Sequence, residues 1–255
     1  MKRIITIILS AICLSVCHVA NAQKDVYLAP DPQNAKWSYI ETDSNGKPRA
    51  TIYNTIESIK GDGLNGSIKI RIEEVPIASP KDTNENFGFY CFKDGDMMID
   101  IRTGFEEFIF EGQIDSLIRK TLDEQYPNIS KDKEKELYEK VRSEFYKMSG
   151  EVQGIPHYPE VGKLPDYEFQ CKFSIMSMKV NGKDRRVVGK ESIQTPAGTY
   201  DCFIVEETMI TKFMLMKEVE RTKSWYAYGI GLVKEITYDK NGKLISTMTL
   251  DEINW

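Results

Sequence analysis

From Ser67 to Glu73 the chain reads Ser-Ile-Lys-Ile-Arg-Ile-Glu, with apolar and charged residues in strict alternation. Successive side chains of a strand point to opposite faces, so this run predicts a strand buried on one face and wet on the other, the habit of antiparallel sheets. Turn signals divide the rest of the chain in the same spirit. Asn-Gly recurs at Asn45-Gly46, Asn65-Gly66, Asn181-Gly182 and Asn241-Gly242, and each dipeptide predicts a hairpin because both residues tolerate positive φ. Asp43 and Asp239 stand two residues before the first and last of these, placed to accept hydrogen bonds from the turn backbone. Asp94-Gly95 reads as a further hairpin and Pro196-Ala197-Gly198 as a turn between strands. Gly229 and Gly231 bracket Ile230 in a strand-like run, which predicts a bulge or bend of a coiled sheet.

One stretch changes period. Between Gly112 and Gly150, Ile114, Leu117, Ile118 and Leu122 fall at helical spacing, Tyr126-Pro127-Asn128 interrupts, and Ser130 offers an N-cap before Leu137, Val141, Phe145 and Met148. Two amphipathic helices are predicted over 112–149, packed on the sheet or presenting an apolar stripe to a partner. The turn-rich stretches Pro76–Asn86 and Gln153–Pro165 lack the length of domain linkers. The expected fold is mainly β: one curved antiparallel sheet, or an incompletely closed half-barrel, with an inserted helical hairpin.

The amino terminus adds an address. Lys2 and Arg3 precede an apolar run from Ile4 to Val16, too short to span a bilayer, and Ala20-Asn21-Ala22 follows at signal-peptidase distance. Cleavage is expected between Ala22 and Gln23, leaving residues 23–255 as a single β domain. No later segment is apolar enough for a transmembrane helix. The expected location is periplasmic or secreted, with an outer-membrane lipoprotein anchored through Cys17 as the alternative; branched Val16 before that cysteine disfavours it. Removing residues 1–22 takes two cations from a formal charge of -5. With no lysine or arginine cluster along the chain, nucleic acid is not an expected partner.

Little of the sequence suggests catalysis. Of two histidines, His18 leaves with the signal, so His-rich zinc sites are excluded and any Ser/His/Asp or Cys/His device must use His157, in the proline-bounded loop Ile155–Pro159. Asp94, Asp96 and Asp100 lack the glycine and terminal glutamate of a calcium loop. Glu106-Glu107 and Glu206-Glu207 are adjacent pairs, which on a strand face opposite ways. Cys91, Cys171 and Cys202 sit in strand-like runs and read as small core hydrophobes, one disulfide among them remaining open. No enzyme, cofactor or metal is expected. What stands out is apolar surface: Met176 and Met178 in one strand-like run, Met214 and Met216 in another that reads as a central strand, flexible side chains suited to line an apolar-ligand site or fill a core. The expected partners are accordingly a lipid or hydrophobic ligand, or an envelope protein met by the helices.

Ile193–Phe203, Trp225–Glu235 and the hairpin Asn241-Gly242-Lys243-Leu244, with Tyr158-Pro159, Leu164-Pro165-Asp166 and Tyr90–Asp96 earlier, together resemble the secreted TapB-like family of Bacteroidetes. The resemblance implies a mainly antiparallel β, signal-bearing protein of undetermined function, and supplies no catalytic residues. The helical stretch from Gly112 to Gly150 is the part that matches it least.

Overall fold

A computed structural model describes residues 35–61, 64–109, 115–173 and 176–254; the expected signal segment and cleavage site, with Cys17, Ala22 and Gln23, lie outside them. The chain opens with the strands β1 (Lys36–Asp43), β2 (Pro48–Gly61), β3 (Gly66–Pro76), β4 (Asn84–Lys93) and β5 (Asp96–Ile99). Three helices follow, α1 (Ile101–Ile109), α2 (Asp115–Gln125) and α3 (Lys131–Phe145). Then come β6 (Tyr146–Ile155), β7 (Gly162–Lys163), β8 (Tyr167–Phe173), β9 (Met176–Thr195), β10 (Gly198–Phe213), β11 (Met216–Ala227), β12 (Gly231–Asp239) and β13 (Leu244–Asn254).

The strands form a closed antiparallel barrel of twelve, which overturns the open sheet or half-barrel expected from sequence. Neighbours run β10-β11-β12-β13-β1-β2-β3-β4-β5-β6-β8-β9, and β9 pairs back onto β10 from Thr195↔Gly198 to Met178↔Phe213. Closure follows from the length of β9 and β10, 20 and 16 residues, which lets β9 engage β8 on one side and β10 on the other. Bulges bend the sheet enough to close, among them Ile56/Ser58, Ile204/Val205 and Trp225/Tyr226. β7 shares the register of β8 on β9, so the two are one strand interrupted at Pro165, which has no N–H to donate.

Turn chemistry explains the register of several pairs. Asp43 Oδ1 accepts from the amides of Asn45 and Lys47 at 2.8 and 3.0 Å, and Asp239 Oδ1 from those of Asn241 and Lys243 at 2.8 and 2.9 Å. The two turns are copies in geometry, each with its glycine at positive φ. Both aspartates titrate below the usual carboxylate range because these amides bond the ionised form. Asp94 and Gly95 turn β4 into β5 with φ of 53° and 85°. Asn181-Gly182 does not turn the chain. It lies inside β9, where Gly182 leaves room for the ring of Tyr167: a Cβ would stand 2.2 Å from Tyr167 Cε1. Gly229 and Gly231 belong to the hairpin between β11 and β12 rather than to a bend within one strand.

The alternation read in the sequence sorts the two faces. Ile68, Ile70 and Ile72 point into the barrel with Ile52, Ile56, Tyr90, Phe169, Val180 and Leu250. Lys69 and Arg71 point outward to ion pairs with Glu57, Glu85 and Glu107. Apolar inside and charged outside is the reverse of a lipid-facing barrel, whose outer band must be apolar.

The helical excursion begins at Ile101 and ends at Phe145, because Asp100 is an N-cap: its carboxylate accepts from the amide and hydroxyl of Thr103 at 3.0 and 2.7 Å. Helix α1 lies against the outside of β4, Gly104 over the Phe89 ring and Glu107 bonded to Lys69 at 2.6 Å. Helices α2 and α3 pack on each other, with the Arg119 guanidinium 4.7 Å from the Tyr138 ring and Leu122 buried. Leu137 and Val141 are half-buried.

Gly182→Ala is expected to destabilise the protein by about 1–3 kcal/mol, because the added Cβ would stand 2.2 Å from the buried Tyr167 ring and force it to shift. Urea unfolding followed by tyrosine and tryptophan fluorescence measures it; an unchanged midpoint would show that the ring relocates freely.

Candidate functional site

Inside the barrel, β9 carries one buried cation. Between the pairs Glu206↔Arg186 and Thr208↔Lys183, two residues of β9 oppose Glu207 alone, and Asp184 takes a φ of 55°. This bulge places Arg185 on the inner face, 3% exposed. Its Nε donates to Glu207 Oε2 at 2.9 Å, and its terminal nitrogens donate to the carbonyls of Pro165 and Gly154 at 2.9 and 2.5 Å. The guanidinium also lies 4.9 Å from the centre of the Tyr167 ring. These contacts tie β6, the β7–β8 junction, β9 and β10 together at one point. The adjacent pair divides as alternation requires, with Glu206 facing out to Arg186 at 2.8 Å.

Beside Arg185 is a cavity of about 30 Å³, lined by Met97, Ile155, Thr222, Ser224 and Tyr226 among others. That volume suits one water and is far short of the several hundred Å³ a small organic ligand occupies. Carboxylates gather along the neighbouring inner wall. Ser224 donates to Glu235 at 2.7 Å. Burial raises Glu220 to about 7, with the nearby charges of Glu218 and Glu235 adding to it. Burial also raises Glu41, against the opposing pull of Arg49 at 2.9 Å. Elsewhere on the inner face Trp37 and Asn54 oppose each other across β1 and β2. The indole N–H and both amide atoms have no hydrogen-bond partner among the described residues.

His157 is buried and serves the fold through its backbone, its amide bonded to Asp96 Oδ1 at 2.8 Å and its carbonyl to the Tyr228 hydroxyl at 3.0 Å. The imidazole stacks on Tyr158 at 4.2 Å and fills the space above Gly95. Cys171 and Cys202 are buried and Cys91 half-buried, all three as free thiols. Desolvation raises them to about 11, 12 and 11 respectively, opposite to the direction a nucleophilic thiol needs.

The four methionines do not gather into one lining. Met178 is buried in the core, opposite Cys171 and Phe213. Met176 begins β9, and its side chain lies outside the described residues. Met214 and Met216 sit at the tip joining β10 to β11, 51% and 41% exposed, with Leu215 between them fully exposed. Sequence reasoning found these two methionines but assigned them to a strand; the apolar run through Leu215 is where the chain reverses, with Phe213 paired to Met216.

Comparison with known proteins places the fold. Residues 157–250 match a DUF3108-like family, while the TapB-like name drawn from sequence gains no support. Two solved structures are similar over nearly their whole length. One, described as an exported protein with a YmcC-like fold, comes from Bacteroides fragilis: 14% identity, TM-score 0.58, covering 90% of this chain and 100% of that one. The other, described as a lipoprotein, comes from Parabacteroides distasonis: 16% identity, TM-score 0.59, covering 91% and 100%. At such identities the likeness is one of fold. No curated protein matches the chain.

Two outcomes follow from the inner wall. Arg185→Ala strands Glu207 and two carbonyls, and is expected to cost about 3–5 kcal/mol in denaturant unfolding, whereas Arg185→Met with Glu207→Leu should recover most of it. Equal losses in both variants would show that the ion pair itself, rather than its desolvated remnant, matters. For Glu220 the folded pKa lies above the unfolded one, so the folded state holds the extra proton between about 4.5 and 7 and loses stability as pH rises through that window. Glu220→Gln should therefore be more stable than the parent above pH 7, by about 1 kcal/mol after solvent screening, or about 2–4 °C in Tm, and level with it near pH 4.

Proposed function

We propose that this is an exported, non-enzymatic envelope protein that acts by surface contact. Its barrel is a rigid holder, and the tip between β10 and β11 is its contact element. The observation that carries the reading is the exposed run Met214-Leu215-Met216 on a barrel whose interior is already filled. Scattered exposed apolar residues are ordinary on a soluble protein, but three in sequence at a strand reversal incur a solvation cost. The description of structural relatives as exported and as a lipoprotein is consistent with an envelope setting, as is the signal-like amino terminus.

A carrier reading, with an apolar ligand between sheet and helices, has a cleft of about 400 Å³ beside Arg102 of α1 in its favour and the polar lining of that cleft, with Glu151, Asp166 and Glu168, against it. Solvent extraction of the purified protein followed by mass spectrometry separates the two: stoichiometric lipid favours a carrier, and its absence favours contact. Fractionation of cells supplies the direct test. Replacing Met214, Leu215 and Met216 by serine in the full chain should shift the protein from the envelope fraction toward the soluble one without changing its melting temperature. Unchanged fractionation would overturn the contact reading.

A further inference from the structure

We infer that the partner of the β10–β11 tip is an anionic lipid surface, into which Met214, Leu215 and Met216 insert while a row of lysines meets the headgroups. The inference rests on the contact reading above. Lys212 and Lys217 stand directly opposite each other on β10 and β11, immediately behind the tip, both exposed. Like charges in directly opposed positions repel, so the pair is unfavourable to the hairpin itself. The row continues around the same rim: Lys212 is opposite Lys179 of β9, and Lys172 of β8 is opposite Lys147 of β6. Lys179 is bonded to Glu168 at 2.7 Å, and Glu218 is exposed on β11 beside the tip. The remaining lysines of the row project from a chain whose formal charge is negative overall, so the local sign is the reverse of the whole.

Backbone geometry points the same way. Met214 reverses the chain with a φ of 52°, a region where glycine or asparagine is favoured, and its amide is bonded to the Ser177 carbonyl at 2.9 Å. Turn chemistry alone would select a small polar residue here. A methionine held in that conformation, beside a leucine wholly in solvent, breaks the local rule with no gain in the fold. A stable protein interface takes roughly 800 Å² and about 20–30 residues from each partner, and the apolar tip is the run Met214-Leu215-Met216. Three apolar side chains backed by cations suit an interface between headgroups and acyl chains, which demands no shaped counterpart.

The test uses purified residues 23–255 and vesicles of phosphatidylcholine with or without phosphatidylglycerol, read by co-sedimentation. Binding is expected to the anionic vesicles, falling steeply as salt rises from 100 to 500 mM. Lys212→Gln with Lys217→Gln should weaken it about tenfold or more. The serine triple variant, M214S with L215S and M216S, should weaken it at least as much while melting as the parent does. Absence of binding to anionic vesicles, or binding that neither variant changes, overturns the lipid assignment. Should cell fractionation still depend on the tip in that case, the contact reading stands with a protein partner, and the lipid inference alone falls.

Discussion

The pairing of β9 with β10 is the constraint on which the rest of the molecule depends. Until those strands meet, the order that starts at β10 and ends at β9 is an open sheet with two long edges, and edges of that length invite pairing with other chains. Once they meet, every long strand has two neighbours and the inner face leaves water. Closure is non-local in the sequence of events it requires: β9 must find β8 on one side and β10 on the other, over a pairing that is interrupted by bulges at Ile204/Val205 and again near Glu207. The second bulge is also what turns Arg185 inward.

A buried arginine is costly unless paired and bonded, and each of the three Arg185 nitrogens donates once, to Glu207, Pro165 and Gly154. The arrangement fixes the region where β7 gives way to β8 at Pro165, a place the sheet ladder serves poorly because proline lacks an amide hydrogen. Gly182 contributes from the same strand by making room for the Tyr167 ring, which then lies against the guanidinium. The polar cluster is thus explained as a joint between strands. Each Arg185 nitrogen bonds the protein and the charge is paired with Glu207, so the cation beside the small cavity is already neutralised.

Much of the local structure was legible in the sequence, and the failures have physical causes. Asp43 and Asp239 announced their turns because aspartate two residues before Asn-Gly has a specific bonding pattern to satisfy. Asn181-Gly182 carried the same dipeptide without that aspartate, and there the glycine answers a steric demand from Tyr167, a residue that becomes a neighbour only through strand pairing. Asp100 was weighed as a metal ligand and is a helix cap, which moved the start of the helices to Ile101. Barrel closure was out of reach for the same reason as Tyr167: alternation tells which face of a strand is buried, and says nothing of which strand lies beside it. The exposed methionines were noticed, yet Met214 and Met216 were read as strand interior because apolar residues seldom occupy a reversal.

That misreading is itself informative. Local propensity, pattern and turn chemistry agree along most of this chain, as they do in sequences that fold to one structure. Lys212 to Lys217 is where they part: apolar residues in a solvent-exposed turn, a methionine at positive φ and two lysines opposed across the strands. Each feature alone is a small cost. Together they lie within a few residues, on the rim where β6, β8, β9, β10 and β11 begin or end. A rigid closed barrel holds such a tip in place without needing the tip's own contacts, so the composition there is free to answer to something outside the fold.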